Sequence, residues 1–216
     1  MIKEAPSHPI TRRGFMLVLS SPSGVGKTTI ARNVLALETD LELSISVTTR
    51  PKRPSEVEGK DYYFVDEDTF ANRLKEKHFL EHAHVYGYHY GTPRASIENL
   101  LANGKDVLFD IDWQGTQQLK QISMNDLVSV FLLPPTLETL ENRLRERDQD
   151  SEGTIHLRMS KAADEISHWA EYDYVIINRT LDETIHAVRS VVQAERLKRR
   201  RQLGLIHFVN SLRGED

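Results

Sequence analysis

Residues Ser21-Pro22-Ser23-Gly24-Val25-Gly26-Lys27-Thr28 bring together the groups that hold a polyphosphate: two glycines, a lysine and a hydroxyl. Their spacing follows G-x-x-x-x-G-K-[ST] at every position but the first, where Ser21 stands in place of glycine. The segment lies between the apolar run Phe15-Met16-Leu17-Val18-Leu19, which reads as a buried strand, and residues 28–37, where Ile30, Ala31, Val34 and Leu37 recur at helical spacing. A strand that feeds a glycine loop opening a helix points successive backbone N–H groups, and the positive end of the helix, at phosphate oxygens. In that geometry Lys27 reaches the terminal phosphates of a nucleoside triphosphate and the Thr28 hydroxyl ligates Mg²⁺. Gly24 and Gly26 supply the backbone freedom that the tight loop requires.

Two further groups carry chemistry. Arg50 and Arg53 stand three apart in the turn Arg50-Pro51-Lys52-Arg53-Pro54, with Tyr62 and Tyr90 on nearby strand candidates. Two guanidinium groups and two phenols suit one phosphate monoester, held by charge-assisted hydrogen bonds. An isolated basic turn is usually a solvated surface feature, and the neighbouring phosphate loop is what favours an acceptor-phosphate clamp here. Asp110-Ile111-Asp112 closes the apolar run Val107-Leu108-Phe109, which sets two carboxylates at the sheet edge where ligands of open α/β sheets bind. Asp110 is expected to support Mg²⁺ through water and orient Lys27, and Asp112 to face the acceptor.

The elements that position these groups follow from periodicity. Leu43-Ser-Ile-Ser-Val-Thr-Thr49 alternates with period two and reads as one half-exposed strand; residues 61–65 and 79–90 read as further short strands around a helix at 68–77. Helical and apolar stretches then alternate: helix 94–103, strand 106–111, helix 114–121, strand 127–133. That alternation specifies a parallel sheet. A helix with Leu137, Leu140 and Leu144 on one face, a charged loop, and a helix with Ile155, Met159, Ala162, Ile166 and Trp169 inward form a movable flap. Strand 174–177 and a closing helix at 182–201, with Ile185, Val188, Val192 and Leu197 inward, complete the core.

The 216 residues, 39% hydrophobic, with no Pro/Gly/Ser-rich linker, predict one domain with insertions. The expected organisation is a tail at 1–13, a domain at 14–203 (core 14–44, 93–133 and 172–203; acceptor insertion 45–92; lid 134–171) and a C-terminal tail at 204–216. Zero cysteines exclude disulfides, thiolate metal sites and a cysteine nucleophile. No apolar run reaches membrane-spanning length, residues 1–13 lack the apolar middle of a secretory signal, and a cytoplasmic protein is expected. A formal net charge of −4 argues against nucleic acid or an anionic membrane as partner. His78, His82, His84 and His89 fit no zinc-ligand spacing, Lys198-Arg-Arg-Arg201 reads as a solvated helix end, and Trp113 as packing.

Four motifs in order, Ser44 to Pro54, Glu56 to Phe64, Tyr86 to Thr92 and Asp110 to Gly115, resemble guanylate kinase, and the resemblance extends over about residues 14–200. It implies a P-loop nucleoside monophosphate kinase fold: a parallel five-stranded sheet flanked by helices, a small β-rich GMP-binding insertion and a helical lid. It further implies ATP-dependent phosphorylation of GMP, and of dGMP, with Mg²⁺, by a monomer or homodimer. By resemblance Arg50, Arg53, Tyr62 and Tyr90 bind the GMP phosphate, Ser46, Glu81 and Thr92 read the guanine, and Glu56 belongs to the same GMP-binding set. Arg147 and Arg158 match the lid arginines that close over the migrating phosphoryl group, Arg143 sits one turn before Arg147, and Asn178 lies near the adenine.

The chemistry agrees: a carboxylate accepts from guanine N1–H and the 2-amino group while a hydroxyl donates to O6, and adenine leaves those groups unpaired, a discrimination on the order of 10⁴-fold. Two other readings compete: an inactive phosphopeptide-binding module built on the same acceptor surface, and a sugar-phosphate kinase of the same fold. The intact Gly24, Gly26, Lys27 and Thr28 argue against the first, and Ser46, Glu81 and Thr92 against the second.

Overall fold

The computed structural model describes residues 11–85, 87–145 and 152–214. Its centre is a five-stranded parallel sheet in the order β2 (Leu41–Leu43), β7 (Asp106–Asp110), β1 (Met16–Ser20), β8 (Leu127–Leu133), β9 (Tyr174–Ile177). β1 is buried along its whole length because both faces are covered. Phe15, Leu17 and Leu19 point to a core completed by α1 (Lys27–Leu37) and α7 (Leu181–Arg196). Met16 and Val18 point to the opposite core, with α3 (Arg94–Ala102) and α4 (Trp113–Ser123). Double burial is why the strand reads as a continuous apolar run instead of an alternating one.

A second, four-stranded sheet in the order β4 (Tyr63–Phe64), β3 (Val47–Thr48), β6 (Tyr88–Pro93), β5 (Phe79–Val85) forms the insertion, with α2 (Glu67–Lys75) against it. Its small core is Val47, Phe70 and Phe79, with the Phe70 and Phe79 rings stacked at 4.7 Å. α5 (Leu137–Arg145) and α6 (Glu152–Ser167) make the flap, and Leu140, Leu144, Ile155 and Ala162 anchor it by burial.

The structure departs from the periodicity reading in four places. The expected single strand 43–49 is two strands in different sheets: Ser44 N–H donates to Leu108 O in the core sheet, whereas Ser46 O accepts from Tyr63 N–H in the insertion. Alternation reports a side-chain period and says nothing about which strand supplies the hydrogen bonds. The closing helix ends at Arg196, not 201, and Leu197 is 77% exposed. Arg201, expected in solvent, is 2% exposed: its guanidinium lies 4.6 Å over the Phe15 ring and bonds Glu195 at 3.2 Å. Trp169 leaves the flap core and is 50% exposed.

The first and last described segments are also tied in. Beyond residue 203, where a tail is expected, α8 (Leu205–Arg213) forms, and Gly204 N–H donates to Thr11 O. Arg12 donates to both oxygens of the wholly buried Asp106, at 2.6 and 3.1 Å, and Arg196 adds a third bond at 2.7 Å. A buried carboxylate at the start of β7 is tolerable only because these cations and the Phe15 N–H satisfy it. Asp106→Ala would take from Arg12 the carboxylate it pairs with and leave Arg196 to Glu38 alone. Urea denaturation should show a loss of about 3–5 kcal/mol, and a loss below about 1 kcal/mol would remove this network from the account of stability.

Candidate active site

The glycine loop leaves the carboxyl end of β1, and α1 begins at its last two residues. Gly24 and Gly26 take φ of 95° and 104°, the left-handed region that favours glycine, and Gly26 is the N-cap of α1. Gly24 is also sterically required, since a Cβ there would stand 2.8 Å from Leu144 of α5. Pro22 O accepts from Val25 N–H, the Ser21 hydroxyl donates to Pro22 O, and Val25 O accepts from both Arg143 Nη1 at 2.9 Å and Asn178 Nδ2 at 2.8 Å. Asn178 is buried, and its Oδ1 accepts from Thr184. Both Arg143 and Asn178, read as nucleotide contacts, therefore brace the loop from beneath in this structure.

Lys27 and Asp110 meet across the gap between α1 and β7. Lys27 Nζ lies 2.6 Å from Asp110 Oδ1 and donates to Ile111 O at 3.0 Å, while Thr28 Oγ1 donates to Asp110 Oδ2 at 3.2 Å. Burial alone would push the Asp110 carboxyl up, but Lys27 and Thr28 outweigh it and hold the group below the usual carboxylate range. Asp112 caps α4, its Oδ1 accepting from Gly115 N–H at 3.0 Å.

Between this centre and the insertion lies a cavity of about 610 Å³ lined by Thr28, Ser46, Arg53, Glu56, Tyr62 and Asp110. A smaller cavity of about 220 Å³ shares Ser46, Tyr62 and Asp110 with it and is closed by Glu81, Tyr90 and Asp112. Arg50 sits by the Tyr62 ring, 5.4 Å from its centroid, and Tyr62 and Tyr90 are edge to face at 6.0 Å. Glu56 organises this corner: it takes Arg50 Nη2 at 2.6 Å and Arg53 N–H at 2.8 Å, and the Arg50 bond holds its carboxyl below the usual range. Its contacts are thus with the clamp arginines themselves.

Glu81 is 4% exposed on β5, and burial pushes its carboxyl up to about 7; the Thr92 hydroxyl bond opposes the rise and Asp112 adds to it. Thr92 is wholly buried and donates to Glu81 Oε1 at 2.6 Å, so its hydroxyl is committed to the carboxylate and not to the cavity. Gly115 makes the arrangement possible, since a Cβ there would stand 2.8 Å from Glu81 Oε2.

Arg158 lies on α6, half-buried. Arg147 lies outside the described residues, as does Tyr86 of the third motif. Two groups at the site escaped the sequence reading. Arg32 lines the larger cavity one helical turn beyond Thr28, a position that the i, i+4 rule could have given. Glu165 of α6 accepts the Ser23 N–H at 3.1 Å, a contact across 142 residues with no local signal.

A doubly covered parallel sheet with a glycine loop at its carboxyl edge, facing a cavity lined by arginines and tyrosines, defines a P-loop nucleotide-binding protein with an acceptor site. The guanylate kinase family model matches residues 13–195. Guanylate kinase of Paramagnetospirillum magneticum is 56% identical over 207 residues, 96% of this chain and 97% of that one. That of Sphingopyxis alaskensis is 58% identical over 208 residues, covering 96% and 94%. The crystal structure of guanylate kinase from Anaplasma phagocytophilum superposes with a TM-score of 0.79 at 38% identity, covering 96% and 99%. The chain belongs to the guanylate kinase family.

Two outcomes test the base cavity. A Glu81 carboxyl titrating near 7 must be ionised to accept two N–H donors, so KM for GMP should rise as pH falls through about 7. Thr92→Val removes the bond that lowers this pKa and should move the inflection to higher pH, whereas Thr92→Ser should leave it in place; superimposable profiles for all three proteins would refute the assignment. Gly115→Ala should raise KM for GMP by about tenfold or more through displaced Glu81, with KM for ATP unchanged. Equal effects on both substrates would point to a general disturbance of α4.

Proposed function

We propose that this protein transfers the γ-phosphoryl group of ATP to the phosphate of GMP, and of dGMP, giving ADP and the nucleoside diphosphate. The observation that carries the reading is the placement of the Lys27–Asp110 pair beside two adjoining cavities that share Ser46, Tyr62 and Asp110, the larger lined by Arg53 and the smaller by the buried Glu81. Donor, acceptor phosphate and acceptor base each meet groups of matching charge and hydrogen-bonding sense.

The transfer needs in-line oxygens and cations around a charge-spread transition state, and no protein nucleophile. Lys27 and the loop N–H groups hold the donor phosphates; Arg50 and Arg53, ordered by Glu56, hold the acceptor phosphate; Arg158 and Arg147 of the lid neutralise the migrating group. Glu81 accepts from guanine N1–H and N2–H, and Ser46 faces the base. Thr92 keeps the Glu81 carboxylate in its place. Adenine would set a lone pair against that carboxylate.

The Thr28 hydroxyl and the Asp110 carboxylate, 3.2 Å apart, are hard oxygen groups of the kind Mg²⁺ prefers, and they would hold the ion, Asp110 through water. When bound, Mg²⁺ supplies charge neutralisation on the donor phosphates. No helix among the described residues is long and apolar enough to cross a membrane. We place the activity in the cytoplasm, in purine nucleotide metabolism, with the protein acting as a monomer or homodimer and without nucleic acid.

An ADP-release assay with ATP and Mg²⁺ against GMP, dGMP, AMP, UMP and CMP tests this. Turnover should be confined to GMP and dGMP and be lost in Lys27→Ala. Turnover with AMP at a comparable rate, or none with any acceptor, would overturn the reading.

A further inference from the structure

Glu165 is the one acidic side chain of α6 that reaches the glycine loop among the contacts described, and nothing in the phosphoryl-transfer scheme above accounts for it. Its Oε2 accepts the Ser23 N–H at 3.1 Å. The group is half-buried, and its surroundings mark its location within the site. Burial raises its pKa first; the Ser23 bond and the charges of Lys27 and Lys161 act in the opposite sense, and Asp112 adds to the rise. Glu165 therefore stands within electrostatic reach of both the donor-side lysine and the acceptor-side aspartate.

We propose that Glu165 is a positioning residue that sets donor affinity: it competes with the terminal phosphates of the triphosphate for the Ser23 N–H and the field of Lys27. The proposal rests on ATP being the donor at this loop. Two anions cannot share one donor set at close range without a Coulomb cost, so the incoming phosphate displaces the carboxylate. The exchange reaches the lid because of where Glu165 sits in sequence. Arg158 lies seven residues earlier on α6, two helical turns away on the same face. The helix that presents a guanidinium group to the migrating phosphoryl group is thus the helix whose carboxylate must leave the loop. Ile155 and Ala162, both buried, keep that helix against the core while the exchange takes place.

The contrast that tests the proposal is charge against hydrogen bond. Glu165→Gln keeps the shape and an oxygen able to accept the Ser23 N–H, and removes only the charge. Calorimetric titration should show MgATP binding about fivefold tighter to Glu165→Gln than to wild type, a smaller gain for MgADP, and GMP affinity unchanged within about twofold. In steady-state assays KM for ATP should fall while KM for GMP does not. Glu165→Ala, with its melting temperature checked against wild type, should also bind MgATP more tightly. Unchanged or weaker MgATP binding by Glu165→Gln would overturn the proposal, and weakening in both variants would make Glu165 a fixed support of the loop. Wild-type turnover of GMP with ATP, run alongside, separates failure of this inference from failure of the functional reading.

Discussion

The bond pair that Asp110 makes with Lys27 and Thr28 joins the end of β7 to the first turn of α1, and the geometry of the whole site is referred to it. Because β7 and β1 are adjacent and parallel, with Leu19 opposite Asp110, their carboxyl ends emerge side by side. A carboxylate at the end of one strand is thereby brought against a lysine that follows the other. Both strands are buried on two faces, so neither can shift register without moving its whole apolar set. The Lys27–Asp110 pair is consequently as well fixed as the core itself.

Around that pair, charge is balanced by direct contact. Lys27 is matched by Asp110, Arg50 by Glu56, and the Ser23 N–H by Glu165. Such neutralisation lowers the cost of concentrating cations in a partly desolvated cleft. Glu81 is treated differently. Among the described residues Thr92 donates to it, and burial raises its carboxyl to about 7, so it is above that pH, as the carboxylate, that it can accept from two N–H groups of a base.

Stability and function meet at β7. Its first residue, Asp106, anchors Arg12 and Arg196; its last, Asp110, anchors Lys27. The same strand thus ties the chain's early residues and closing helix at one end and positions the phosphate chemistry at the other. The flap is held by a separate set of contacts, Leu140 and Leu144 beneath Gly24, and Arg143 on Val25 O.

The sequence alone determined the loop and its strand-to-helix setting, the α/β alternation that makes the sheet parallel, and the types of the acceptor-side groups. These are local signals: periodicity, glycine spacing and clustered charge are all carried by neighbouring residues. Tertiary structure alone decided that 43–49 divides between two sheets, that Arg201 is buried over the Phe15 ring, that Thr92 serves Glu81, that Asn178 and Arg143 brace Val25, and that Glu165 reaches Ser23. Each of these depends on a partner from another element, from 6 to 153 residues away in the hydrogen bonds that carry them. A side chain's partner is set by which elements pack together, and the pattern of any one segment holds no record of the segments across from it.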